Sequence, residues 1–172
     1  FADVPDVFVH REPALLLELI ETASRYRVDG ILCAGIELAD ICAQACHCLD
    51  LPGVNPSAAR ICSDKLKLAE CLSVHNIPHP KTIQWTTDEL FVFHEQWITK
   101  PSNNSGARGV TLLDYGATDQ QVSEAWRRAV DCCRSGGIQI KQQYIQGQQI
   151  SIEGCVRDGK FHLFAMADRH YD

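Results

Sequence analysis

Two lysines set the chemistry open to this chain. Lys100 ends a short apolar run, W-I-T-K, and is followed by Pro101 and then by S-N-N-S-G-A-R-G, residues 102–109. Gly106 and Gly109 free backbone N–H groups in that run, while Ser105, two asparagines and Arg108 add hydroxyl, amide and guanidinium donors. Such a loop suits anionic oxygens, above all those of phosphate. Lys65 lies upstream in S-D-K-L-K, where spaced leucines mark a helix. The chain has no G-x-x-x-x-G-K-[ST], so this is not a Walker loop. On these residues alone, a plain glycine turn, a solvated helix lysine and a solvated loop arginine remain open readings.

Composition narrows the setting. The chain has 172 residues, 45% of them hydrophobic and 22% charged, enough for one domain or two small lobes. A net charge of −6 argues against nucleic acid as the main partner, so a bound anion must be held by a few placed cations. The apolar runs are much shorter than a membrane span and no secretory signal opens the chain, so no membrane partner is expected. Nine cysteines, an odd number that includes the adjacent pair Cys132–Cys133, argue against a disulfide framework and for a cytoplasmic protein.

The elements that must position the lysines can be read in order. Residues 1–10 form an irregular lead-in. A helix starts at Glu12-Pro13, with apolar residues at Leu15, Leu16, Leu19, Ile20 and Ala23. The run V-D-G-I-L-C, residues 28–33, predicts a strand buried on both faces, and a helix follows over 37–49. Helix, strand, helix in that order is an α/β pattern with a parallel sheet. After a tight connection through Pro52 and Pro56, a helix has Ser63-Asp64 near its start and carries Leu66, Leu68, Ala69, Leu72 and Val74. Pro78 and Pro80 end it. Strands are expected at 82–85, 98–100, 109–114, 138–145, 149–156 and 161–167, with a short helix at 88–93 and an amphipathic one at 119–133. Asp158-Gly159 predicts a hairpin turn between the last two strands.

Five stretches then line up, in order, with one family. They are V-D-G-I-L-C-A-G-I-E, L-P-G-V-N-P-S-A-A-R, S-D-K-L-K-L-A-E-C-L-S-V-H-N-I-P-H-P, W-I-T-K-P-S-N-N-S-G-A-R-G-V and I-K-Q-Q-Y-I-Q-G-Q-Q-I-S-I-E-G. The chain resembles the ATP-grasp superfamily of ligases, which includes biotin carboxylase, carbamoyl-phosphate synthetase and D-alanine–D-alanine ligase. The resemblance implies an α/β fold in which residues 1–62 end a Rossmann-like α/β domain and 63–96 connect it to a lid. Residues 97–146 would form that lid, and 147–172 would begin the grasp sheet. It implies ATP between lid and sheet, with Lys65 and Lys100 on the phosphates. Ser105, Gly106, Arg108 and Gly109 would contact the terminal phosphates, Arg108 bidentately on the transferring group. Gln142, Gln143, Tyr144 and Ile145 would form the hinge that seats adenine.

Here the sequence departs from the family pattern. Gln142 and Gln149 stand where the family has glutamates at the hinge and at the ribose hydroxyls. A neutral amide binds a hydroxyl more weakly than a carboxylate does. Glu153 matches a further acidic position, or is an outward residue of an alternating strand. The family's Mg2+ ligands lie past the last hairpin, so the ion's ligands are expected beyond residue 172 and the chain reads as an internal piece of a longer enzyme. Cys42, Cys46, His47 and Cys48 crowd one helix. Buried thiols are a better account of them than zinc, and no metal ligand is assigned.

The implied activity is transfer of the γ-phosphate of ATP to a small carboxylate, followed by attack of an amine or thiol. The partners are then ATP, that carboxylate and an amine-type acceptor. The alternative is a nucleotide-binding or regulatory module without catalysis of its own, an inactive truncated fragment of such a ligase, or a plain α/β scaffold. An uncovered hairpin at 149–167 would call for another chain, leaving a homo-oligomer open.

Overall fold

The structure is a computed structural model, and it describes residues 12–34, 36–86, 95–134 and 136–169. Four helices come first: α1 (Glu12–Tyr26), α2 (Ala39–Cys48), α3 (Pro56–Cys62) and α4 (Lys65–Val74), each packed on the next in an unbroken series. Small residues let α2 sit closely among its neighbours: Ala43, Ala45 and Cys46 are buried along with Ile41. The sequence reading ran from Pro56 to Asp64 without α3, although its start signal is present. The Asn55 side chain accepts from the N–H groups of Ser57 and Ala58, and Pro56 fills the first helical position, where no N–H partner is needed. Asp64 interrupts the helical run and caps α4 in the same way, accepting from Leu66 and Lys67.

A four-stranded sheet follows, built from β1 (Thr82–Gln84), β2 (Trp97–Pro101), β3 (Thr111–Leu113) and β4 (Gln139–Gln143) in the order β1-β4-β2-β3. The two inner strands come from distant parts of the chain, with Ile98 opposite Gln142 and Lys100 opposite Ile140. Helix α5 (Asp119–Asp131) covers one face, started by a capping box in which Thr118 and Gln121 satisfy each other's backbone N–H. Ala125 and Ala129 are fully buried on its inner side, as the apolar spacing predicts. Trp85, Trp97, Leu113 and Ala125 form the core on that face, and Trp126 meets Trp85 edge-on at a centroid distance of 4.9 Å. In β2, Trp97 and Thr99 are buried while Ile98 and Lys100 are half-buried. Period-two alternation therefore turns Lys100 away from the tryptophan core, towards the face on which α4 packs against β1.

The chain closes on a hairpin of β5 (Gln149–Arg157) and β6 (Lys160–Arg169). Asp158 and Gly159 both have positive φ, 51° and 72°, as the tight turn between right-twisted strands requires. A bulge between Glu153 and Gly154 leaves Phe164 as the extra residue on β6. It switches parity along that strand, so Phe161, Leu163 and Met166 share one face with Ile150, Ile152 and Val156. All six are at least half exposed.

The mixed helix-and-strand character matches the sequence reading, with three corrections. Residues 28–33 form no strand, and Leu32 there is 89% exposed. A strand is stable only when a neighbour takes its backbone hydrogen bonds, and no described strand lies beside this one. Every described strand pair is antiparallel, so the expected parallel sheet is absent among the described residues. The third strand also begins later than expected, at Thr111, because the chain is still turning through positive φ at Gly109. The helix expected at 88–93 lies outside the described residues.

Candidate functional site

The loop between β2 and β3 falls into two halves. Its first half is tied down on every side. Ser102 is fully buried: its N–H donates to Ile138 O at 2.8 Å and its hydroxyl donates to Asp64 Oδ2 at 2.9 Å. Asn103 accepts from Arg134 N at 3.0 Å and donates to Arg134 O, closing a ring onto the chain just past α5. Asn104 donates to Cys132 O at 2.6 Å. Gly109 anchors the far end, buried under the close of α5 at φ +71°, where a Cβ would stand 2.8 Å from Cys132 Cβ. Between these anchors Ser105, Gly106, Ala107 and Arg108 are exposed, with Gly106 and Ala107 both at positive φ. No hydrogen bond or ion pair of the Arg108 side chain is found among the described residues.

Lys65 meets this loop through both its backbone and its side chain. Its N–H donates to Ser102 O at 2.8 Å, and its Nζ reaches Ser102 O at 3.3 Å and Asn104 O. One residue therefore registers the start of α4 against the loop and points its ammonium along it. Burial lowers the Lys65 pKa, opposed by the charges of Asp64 and Glu37. Lys100 approaches from β2. Its Nζ donates to Gln142 Oε1 at 2.6 Å, a diagonal contact across the β2–β4 pair. Burial, and after it the positive charge of Lys65, bring Lys100 down to about 8. Two half-buried amines thus lie near each other, and the charge of Lys65 disfavours protonation of Lys100. An anion placed between them would reverse that effect.

Of the residues singled out from sequence, the fold brings together Lys65, Lys100 and Gln142, with the loop beside them. Ser105, Gly106 and Arg108 form the exposed tip of that loop. Gly109 does not join the tip, and its place is accounted for by close packing under α5. Gln143 and Tyr144 leave β4 with their N–H groups bound to Lys81 O and Gln96 O, and Ile145 lies exposed just beyond. Gln149 and Glu153 are exposed on the polar face of the hairpin, where Glu153 lies opposite Ala165, and neither contacts the lysine pair. Sequence reasoning missed Thr82 and Asp64 as parts of this site. Asp64 could have been found from the helix-start signal in S-D-K. Thr82 could not, because its place depends on β1 pairing with β4.

Among the described residues no three His, Cys, Asp or Glu side chains converge on a point that could hold a metal ion, so the Mg2+ ion implied by the resemblance finds no complete ligand set in them. All nine cysteines are free. Cys42 and Cys46 line a cleft of about 900 Å3 beside α2, and burial with the nearby Cys33 pushes the Cys42 thiol up to about 11, which disfavours the thiolate. No described helix is long and apolar enough to cross a membrane.

The geometry agrees with what the chain is similar to. The ATP-grasp domain family matches residues 62–172. Among solved structures, an L-amino acid ligase from Bacillus licheniformis superposes with a TM-score of 0.73 at 22% identity, over 92% of this chain and 37% of that one. A D-alanine–D-alanine ligase from Helicobacter pylori gives 0.60 at 15% identity, over 74% of this chain and 41% of that one. The same enzyme from Bacillus anthracis, complexed with ATP, gives 0.59 at 20% identity, over 91% and 52%. At these identities the likeness establishes a shared fold, and this chain spans about half or less of each of those proteins. No curated protein matches the chain significantly.

Proposed function

The chain belongs to the ATP-grasp domain family, and from that premise we propose that it forms the phosphate-gripping part of an ATP-dependent carboxylate–amine ligase. One observation carries the reading: Lys65 and Lys100 come from a helix and a strand far apart in sequence, yet their ammonium groups are close enough to lower the pKa of Lys100. Placing like charges together is unfavourable unless an anion is to sit between them. The tied half of the loop fixes one wall of that spot, and the exposed tip with Arg108 is free to fold over it.

In this proposal the two lysines neutralise the β- and γ-phosphates, and the backbone where β4 ends, residues 143–145, receives adenine. A carboxylate oxygen attacks the γ-phosphorus, the bond to the ADP oxygen breaks, and an acyl phosphate forms. An amine nitrogen then attacks the acyl carbon, loses a proton and expels inorganic phosphate. Arg108 stabilises the transferring phosphoryl group, and the closed tip keeps water from it. When bound, Mg2+ would add charge neutralisation on the phosphates. Gln149 and Glu153 would face the ribose only if the hairpin folds towards the lid. The L-amino acid ligase and D-alanine ligase neighbours make an amino acid carboxylate and an amino acid amine the first substrates to try.

The exposed hinge and the amide at Gln142 also fit a module that binds nucleotide without turning it over. Calorimetry with ATP, with and without Mg2+, tests the binding shared by both readings. Wild type should bind and Lys100→Ala should lose at least about a hundredfold in affinity, as expected when a half-buried charge contact to phosphate is removed. Because ATP favours the ammonium form of Lys100, binding near pH 8 should take up protons, seen as a dependence of the heat on buffer ionisation. Equal binding by wild type and Lys100→Ala would overturn the site assignment. Release of ADP dependent on an added amino acid would separate the ligase from the binding module.

A further inference from the structure

Lys100 does not end at Gln142. Its Nζ donates to Gln142 Oε1 at 2.6 Å, Gln142 Nε2 donates to Thr82 Oγ1 at 2.8 Å, and Thr82 Oγ1 donates to Pro80 O at 2.9 Å. Both ends of this chain allow one direction only. An ammonium has no acceptor, and a proline carbonyl has no proton. The Thr82 hydrogen must therefore point to Pro80, its oxygen must accept from the amide, and the amide oxygen must face Lys100. The register that makes this possible joins three strands: Thr82 lies opposite Gln142, which in turn lies opposite Ile98, two residues before Lys100.

We propose that Thr82 and Gln142 are positioning residues, a charge-neutral relay that holds the Lys100 ammonium in place for a phosphate ligand without spending its charge on a carboxylate. The relay rests on the phosphate-binding reading above and specifies how that site is tuned. Glutamate at 142 would have the same shape and the opposite consequence. A carboxylate only accepts, so its second oxygen would claim the Thr82 hydrogen and break the bond to Pro80. It would also neutralise Lys100 before any ligand arrived. The other groups that bear on Lys100 leave the amide as the deciding element. Lys65 of α4 is the cation that depresses its protonation, while Asp64 and Glu37 act on Lys65. Asp64 already accepts from Ser102 and from the start of α4. On the Lys100 side of the sheet, the described contributions of β1 and β4 are neutral: Thr82, Gln84, Ile140 and Gln142.

The test uses the purified protein with Gln142→Glu, Thr82→Val and Thr82→Ser. The first measurement is the pH midpoint of Lys100 acylation, followed by mass spectrometry of the labelled peptide, which needs no ligand. The second is the affinity for tripolyphosphate and for ATP by calorimetry at pH 7. Gln142→Glu should raise the acylation midpoint by at least about one pH unit, the usual effect of an adjacent opposite charge. It should weaken tripolyphosphate about tenfold, the equivalent of one such unit. Thr82→Val should weaken tripolyphosphate several-fold, and Thr82→Ser should restore it. A midpoint unchanged in Gln142→Glu, or tripolyphosphate bound by that variant as tightly as by wild type, would overturn the relay. If wild type binds neither ATP nor tripolyphosphate, the phosphate reading of the site falls with this role for the relay. A raised midpoint would then show only that the amide sets the charge of Lys100.

Discussion

Residues 102–104 and 105–108 adjoin in sequence and share a polar, small-residue composition, yet the fold treats them in opposite ways. Each of the first three is fastened to a different part of the molecule: Ser102 to Asp64, Asn103 to Arg134 and Asn104 to Cys132. The next four are exposed, and two of them hold positive φ. The asparagines earn their place as rigid brackets, which composition alone would have assigned to ligand contact. Polar content therefore does not separate the part of a loop that grips from the part that holds still. What separates them is whether backbone carbonyls in want of a partner lie within reach. Those at Cys132, Arg134 and Ile138, half-buried between the end of α5 and the start of β4, take the three donors.

The contrast can be broken or sharpened by substitution. The largest effect on folding should come from Gly109→Ala, because the new Cβ meets Cys132 and the backbone keeps φ at +71°. A loss of about 2–4 kcal/mol in urea denaturation is expected from overpacking and left-handed strain together. Asp64→Ala should follow. It removes the cap of α4 and leaves the buried Ser102 hydroxyl without its acceptor, for about 1–2 kcal/mol. Arg108→Ala should leave stability within about 0.5 kcal/mol, while ATP affinity falls about tenfold. Ser105→Ala should be smaller still, about two- to threefold in affinity with an unchanged melting curve. If Arg108→Ala unfolds the protein as readily as Asp64→Ala does, the loop has no free half. If Gly109→Ala spares stability and abolishes binding, the division between bracket and tip lies elsewhere.

Much of this was legible in the residues. Lys100 before Pro101, and Lys65 after Ser63-Asp64, carry their identity in a few neighbours, because each is placed by the element it starts or ends. The Asp158-Gly159 turn was equally local. The relay through Thr82 was not, since it exists only once β1 and β2 flank β4 in one register. Gly109 was read as a phosphate contact because a glycine in a loop looks the same whether it frees an N–H or admits a neighbouring helix. The strand expected at residues 28–33 failed for a related reason. A nearly continuous apolar run specifies which side chains want burial, but a strand also needs a second strand, and that is a property of the sheet rather than of the segment.

The bond from Lys65 N–H to Ser102 O has a consequence for how the protein reaches its folded state. It joins the first residue of α4 to the residue after β2, and the Ser102 hydroxyl then closes onto the cap of that same helix. Helix α4 can form early from local contacts, but the loop it registers cannot be completed until β2 has docked and β4, from much later in the chain, has paired beside it. Long-range closures of this kind come late because their entropy is lost before their contacts form. The lysine pair is thus assembled in the last steps of folding, and a partly folded chain has no partly competent grip. A polyanion that recognises the pair will recognise only the finished molecule, so it should slow unfolding far more than it speeds folding.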